Sequence, residues 1–516
     1  MALDKRFFIN TGKDGMLEDT NEADVQALVA GLAQAEKVVL YFHGGLVSKQ
    51  SALAKAEELL PVYQGAGAHP VFFIWEAGLL EILRHNLDEI NGEKIFKLLL
   101  RRVLKHSVGK LADSGPAKSV TGTLRLPSDI EVAVELEKLD VGEEPYAQLD
   151  LPEDLDEMSD SQVARFEQEL ASNDRFSEEV EAIVSTAHPE RIETSAKGVS
   201  VTARRSTKTL MSPEVVDSLV EDRSQAEAVG AKGIFSTAKL VIRAGKILRR
   251  VIRRLRHKRG HGVYVTVVEE ILRELYIANV GGEVWHLMKQ ETADTFANAG
   301  QDPKRGGWFF IQQLGHLIAS GHRPEITLVG HSTGAVFISH LLAHADAARQ
   351  DPDHPLPADF TFKNVLFLAP ASRCSLFAET LDQHRGMFEH FRMFTMTDDN
   401  EKGNALIKVL YPRSLLYFVS GVVERQENGK SAFDLPIVGM QRYTDREKVY
   451  TMPEVVTVRN FLRQPGHHVV WSVKDDGPGL ASNALSHSDF DEIGVDPDGV
   501  ERTTMKSVQH IIARGI

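Results

Sequence analysis

Six short runs of apolar, β-branched and aromatic residues, spaced by stretches with helical periodicity, restrict this chain more than any other feature of its sequence. KVVLYFHGG (37–45) and PVFFIWEAG (70–78) are continuous apolar runs ending in glycine. Such runs suit strands buried on both faces, which is the habit of a parallel sheet. Residues 49–64 between them carry helical spacing, and a long helix is expected from about Leu79 to Lys105. The alternation breaks near Val108 and resumes near Asp302. There a helix (GGWFFIQQLGHLIAS) precedes EITLVG, AVFISHLLAHADAA, NVLFLAP, SLFAETLDQH and FRMFTM, which again alternate strand with helix. A last strand, HHVVWSVK, begins at His467, and the helix TTMKSVQHIIARGI follows it. The pattern predicts an α/β fold with a large, doubly wound, mostly parallel sheet of about six strands.

The break divides the chain. Residues 1–109 and 302–516 form the expected core, and residues 110–301 an insertion that is mainly helical. Charge marks the insertion as well. Between Asp129 and Glu190 there are 20 acidic residues against three basic ones, whereas Ala228 to Val268 holds eleven Lys and Arg and no acid. The overall charge of −14 therefore hides two blocks of opposite sign, an asymmetry that suggests internal pairing, a binding surface, or both. A single cysteine, Cys374, rules out an internal disulfide and a Cys-rich zinc module. With no apolar segment near the N-terminus and none of ~20 residues anywhere, a cytoplasmic location is expected.

The sharpest motif is Gly330-His331-Ser332-Thr333-Gly334, set where the strand EITLVG meets a helix. In a tight strand-to-helix turn this pattern lifts the serine hydroxyl above the sheet edge. Glycine is required on both sides because side chains there would clash. The helix start also brings its free N–H groups and positive dipole end beside the serine. With His43-Gly44-Gly45-Leu46 directly after the first buried run, the chain resembles an α/β-hydrolase over roughly residues 37–109 and 302–516. The resemblance implies a serine nucleophile, Ser332, and an oxyanion hole built from the backbone N–H groups of Gly45 and Thr333. Leu46 stands where the family's HGGG form has its last glycine, which leaves the donor open among Gly44, Gly45 and Leu46.

The family's order of serine, acid, histidine directs attention to the loops after the last two strands. Asp398 is the first carboxylate past FRMFTM and is taken as the acid, with Asp399 and Glu401 as alternatives. One of these residues or Asn400 is expected to cap a helix from Asn404 onward. Among the later histidines, His467 and His468 begin a strand and His510 falls in the closing helix. That leaves His487, in LASNALSHSDFDEIG, as the base. The imidazole would take the serine proton, the carboxylate would orient the imidazole, and the N–H groups would hold the developing oxyanion. No cofactor or metal is called for, and His340 and His344, four apart on one helix, are read as ordinary helix residues. The reading is a serine hydrolase acting on a small-molecule carboxylic ester, lipid-like esters included. The rival is a non-catalytic protein of the same fold that docks a partner through its charged insertion.

Within the insertion, Lys239 to Arg259 reads as a basic amphipathic helix. Leu240, Ala244, Ile247, Leu248, Val251, Ile252 and Leu255 form one face, and Arg243, Lys246, Arg249, Arg250, Arg253 and Arg254 the other. An anionic membrane surface is one partner for such a face. The preferred reading pairs its cations with the acidic block 129–190. Nucleic acid is not expected, since no interleaved aromatics or recognition module accompany the helix. The apolar stretch after it, through Gln290, is expected to pack on the sheet or roof the site.

Overall fold

The computed structural model describes residues 3–45, 47–75, 80–113, 126–187, 209–228, 234–298, 305–425, 433–466 and 469–516. Seven strands form one sheet: β1 (Phe8–Thr11), β2 (Lys37–Phe42), β3 (His69–Trp75), β4 (Glu325–His331), β5 (Phe362–Leu368), β6 (Phe388–Met396) and β7 (Val469–Ser472). Their order in space is β1-β3-β2-β4-β5-β6-β7, and every pairing is parallel. The chain winds one way from β2 to β3 and the other way from β4 to β5. β2 and β4 are therefore the neighbours at which the winding reverses, with Phe42 beside Gly330. In open α/β sheets the crevice beyond the carboxyl ends of such a strand pair is where ligands bind.

Alternation along the strands sorts the core into two layers. Val38, Leu40 and Phe42 point to one face, together with Phe73, Leu328 and Phe367. Val39 and Tyr41 point to the other, where they meet the helices Lys49–Gly65 and Thr504–Arg514 through Leu59, Tyr63, Val508 and Ile511. The helices of the insertion join the first layer, so Leu248, Val251, Val267 and Ile271 belong to the same continuous core as the sheet. Between Asp113 and Gly306 every regular element among the described residues is helical. None of the described helices is long and apolar enough to cross a membrane.

Two local expectations change. The seventh strand, β1, is only four residues long and carries the polar Asn10 and Thr11 in buried positions. Asn10 is satisfied there by donating to the Ile74 carbonyl at 3.1 Å. The expected helix from Leu79 to Lys105 is two helices, Leu80–Gly92 and Lys94–Asp113. Glu93 at the joint turns aside to accept hydrogen bonds from the Leu210 N–H, the Thr209 hydroxyl and the Tyr276 hydroxyl.

The basic helix runs over Ile234–Arg256, with all seven residues of its apolar face buried. Its cations pair inside the chain, but mostly not with the acidic block. Arg249 reaches Asp160 and Arg256 reaches Glu157. Arg243, Lys246 and Arg250 converge on Glu274. Arg254, fully buried, grips Glu269 at 2.6 Å and Glu270 at 3.0 Å, both also fully buried. The correction is physical: helices of both regions pack on the basic helix, but Asp160–Ala171 of the acidic block buries its apolar Val163, Phe166 and Leu170, whereas Val263–Ile271 and the turn after it present Glu269, Glu270 and Glu274 to the cations. Removing one partner of a buried ion group leaves an uncompensated charge, which costs ~3–5 kcal/mol, whereas an exposed pair contributes ~0–1 kcal/mol. Arg254→Met is therefore expected to lower unfolding stability by several kcal/mol in chemical denaturation, and Arg249→Gln by under about 1 kcal/mol. Equal effects would contradict this division.

Candidate active site

Ser332 follows β4 with φ of +55°, a left-handed conformation that non-glycine residues rarely adopt. The turn is fixed from outside. The Ser332 N–H donates to the Leu368 carbonyl at 2.8 Å, and its carbonyl accepts from the Ala371 N–H at 3.0 Å. Both flanking glycines are required by contact. A Cβ on Gly330 would lie 2.7 Å from the Gly334 backbone, and one on Gly334 would lie 2.2 Å from the Phe42 carbonyl oxygen. The helix Gly334–Gln350 starts at this point, with Thr333 as its cap residue.

The loop after β2 closes on the same turn. A Cβ on Gly44 would stand 3.3 Å from the Ser332 Cβ, and one on Gly45 would meet the Met288 sulfur and the Thr333 hydroxyl at 2.2 and 2.4 Å. Gly45 and Thr333, the two expected oxyanion donors, are thus brought together beside Ser332. Leu46 lies outside the described residues. His43 is buried and structural. Its ring stacks on Trp75 at 3.7 Å, its Nε2 accepts the Trp75 N–H, and its Nδ1 faces the Gly44 carbonyl at 2.7 Å. Burial pushes it down to about 4, so it stays neutral. Met288 comes from the helix Gly282–Asp294, part of the stretch expected to pack on the sheet or roof the site. That helix is held by Glu424, which accepts from the Trp285 indole and the Lys289 ammonium. Ser332 is only 4% exposed beneath these contacts.

His487 opens a short helical turn, His487–Asp491, after β7. Its ring lies 5.2 Å from that of His331. Both ring nitrogens are out of solvent and without a hydrogen-bond partner among the described residues, so it makes no bond to Ser332 in this conformation. Burial and the neighbouring His331 hold it down to about 3. The carboxylate whose field reaches it is Asp491, which sequence reasoning passed over. Asp491 accepts from the Tyr41 hydroxyl at 2.6 Å and lies 3.2 Å from His331 Nδ1.

Asp398 is two residues past β6, at the same sheet edge, but its oxygens are engaged elsewhere. Tyr417 donates to it at 2.6 Å and Lys402 pairs with it at 2.7 Å. It lines a cavity of about 280 Å³ with His261, Arg413 and Arg442. The helix after it starts at Asp398 rather than near Asn404, capped by the Thr397 hydroxyl rather than by an acid or Asn400. That helix touches the base loop, since the Asn404 amide donates to the Leu485 carbonyl at 2.9 Å. Asp399 points into solvent. Glu401 is fully buried, and its carboxyl is pushed up to about 8 by burial. His467 and His468 lie outside the described residues, and His510 sits in the closing helix as expected. His340 is pushed down to about 4 by burial, and among the described residues no three metal-ligating side chains converge.

The strain at Ser332 is testable without any substrate. A side chain in the left-handed region costs roughly 1–2 kcal/mol that glycine avoids. Ser332→Gly is expected to be more stable than Ser332→Ala by about 1 kcal/mol in chemical denaturation, despite the greater freedom of glycine in the unfolded chain. Equal or reversed midpoints would mean that the turn is relaxed. Comparison of the chain with protein families, curated proteins and solved structures finds no match.

Proposed function

We propose that this chain is a serine hydrolase of the α/β-hydrolase kind, cleaving a carboxylic ester through an acyl-enzyme on Ser332. The observation that carries the reading is Ser332 itself: a left-handed serine in a strand-to-helix turn that only glycines permit, at the point where the sheet's winding reverses. In this reading Ser332 Oγ attacks the ester carbonyl, and His487 accepts the serine proton and later returns it to the leaving alcohol. The backbone N–H groups of Gly45 and Thr333 receive the oxyanion. Asp398 is the proposed orienting acid, from its place two residues beyond β6 on a helix tied to the base loop. Substrate entry requires the Met288 side of the site to shift, because Ser332 is covered.

A fluorophosphonate probe tests the reading directly. Wild-type protein should be labelled at Ser332, and Ser332→Ala and His487→Ala should each lower p-nitrophenyl ester turnover by about 10³-fold or more. Residual turnover within tenfold of wild type would defeat the assignment. Asp398→Asn should lower kcat on the order of 10²–10⁴-fold. A silent Asp398→Asn would remove it from the triad.

The pH dependence follows from the sign of the His487 shift. A base works in its neutral form, which is present above its pKa, and His487 is held down to about 3. Labelling of wild-type protein should therefore change little between pH 8 and pH 5. A fall centred near an ordinary histidine value of ~6.5 would contradict the burial of His487.

A further inference from the structure

Resting on the hydrolase reading above, we infer that His331 is a positioning residue that ties the base loop to the nucleophile turn as a doubly donating imidazolium. His331 directly precedes Ser332 and is buried. Its Nε2 lies 2.9 Å from the backbone carbonyl oxygen of His487, and its Nδ1 lies 3.2 Å from Asp491 Oδ2. A carbonyl oxygen only accepts, so Nε2 carries a proton. Asp491 Oδ2 accepts from the Tyr41 hydroxyl at 2.6 Å, and the carboxyl is held far below the ordinary carboxylate range, so it is ionised and only accepts, and Nδ1 carries a proton too. One side chain thus bridges the residue next to the nucleophile, the backbone of the base and a carboxylate anchored on β2.

The charged groups around the bridge agree with this state. Asp491 raises His331, whereas burial and Lys55 lower it, and the net direction is upward. Asp491 itself is held far below the ordinary carboxylate range by His331, Lys55 and the Tyr41 hydrogen bond. Lys55 is mainly engaged by Glu58 and Glu492. His43 and His487, the other histidines here, are both pushed down and stay neutral. The arrangement concentrates one positive charge on His331, and that charge opposes a second one on His487.

His331→Gln keeps a single donor and removes the charge. With His487 less firmly placed, kcat should fall on the order of 10–100-fold with KM nearly unchanged. The acidic limb of the labelling rate should also move to higher pH, because His487 keeps its burial but then faces Asp491 without the intervening cation. A purely structural role would lower the melting temperature without moving the pH profile. Asp491→Asn should lower kcat in the wild-type background but add little to His331→Gln, because it acts through His331. A further 10²-fold loss in the double variant would instead make Asp491 the acid that serves His487 directly, and would overturn the inference. Should His331→Gln not fold, ¹⁵N-histidine NMR of the wild-type protein decides, with Asp491→Asn as the assignment control. One doubly protonated, slowly exchanging imidazole is expected at pH 7, and a neutral His331 would overturn the inference. Failure of wild-type protein to label at Ser332 would defeat the hydrolase reading. Labelling that is unchanged in rate and pH profile in His331→Gln would defeat this inference alone.

Discussion

The candidate site depends on how closely the start of one helix can approach the end of a neighbouring strand. A Cβ on Gly334 would lie 2.2 Å from the Phe42 carbonyl oxygen, so glycine lets β2 and the helix after β4 share the same space. That proximity places the loop after β2 against the turn at Ser332. It also forces the turn to be tight, and the tightness places Ser332 in the left-handed region. Conformations of this kind persist only when the surroundings over-determine them. Here the Leu368 carbonyl, the Ala371 N–H and the two glycines do so. The turn at Ser332, the approach of the Gly44–Gly45 loop and the strain are therefore consequences of one packing constraint.

The insertion contributes through a different kind of interaction. Its basic helix is held to the core by an apolar face and by ion pairs that become more buried toward the helix Val263–Ile271. Replacing a buried ion group with apolar residues is often neutral or stabilising, so such a group is weak evidence of net stability. Its value here is geometric. Arg254 between Glu269 and Glu270, with His261 at 2.6 Å and the Tyr411 hydroxyl at 2.6 Å also on Glu269, admits few alternative helix placements. The chain that leaves this helix reaches Met288 within about twenty residues, so the placement of the ion cluster sets where the cover over Gly45 and Thr333 begins.

What could be read in the sequence divides along the same physical lines. Six of the seven strands were visible because each is a continuous apolar run. β1 was not, because a four-residue edge strand containing Asn10 and Thr11 has no such signal. The break at Glu93 was hidden because its causes, Thr209, Leu210 and Tyr276, are more than a hundred residues away. Ser332 and the Gly44–Gly45 loop were legible because their chemistry needs glycine at fixed spacing. His331 was not, since it occupies the position in the motif that any residue may fill. Charge counting points to partners inside the chain, but only Arg249 and Arg256 find theirs in the acidic block, at Asp160 and Glu157. Blocks of like charge indicate sign, whereas partners are decided by which carboxylates the neighbouring helices turn toward the cations.

The two nitrogens of His487 connect these observations. A buried polar atom left without a hydrogen bond costs roughly 1–3 kcal/mol, and folded proteins rarely retain two on one ring. Here both persist in a ring 5.2 Å from that of His331, while Asp398 gives its oxygens to Tyr417 and Lys402. A ring already satisfied by permanent partners would have to give them up before accepting a serine proton. Instead, His331 holds His487 through its backbone carbonyl rather than through its ring. Burial, and after it the cation on His331, keep that imidazole neutral. Under the proposed hydrolase reading, the unsatisfied ring is that of a base whose partners arrive with substrate, once the cover formed by Met288 has moved.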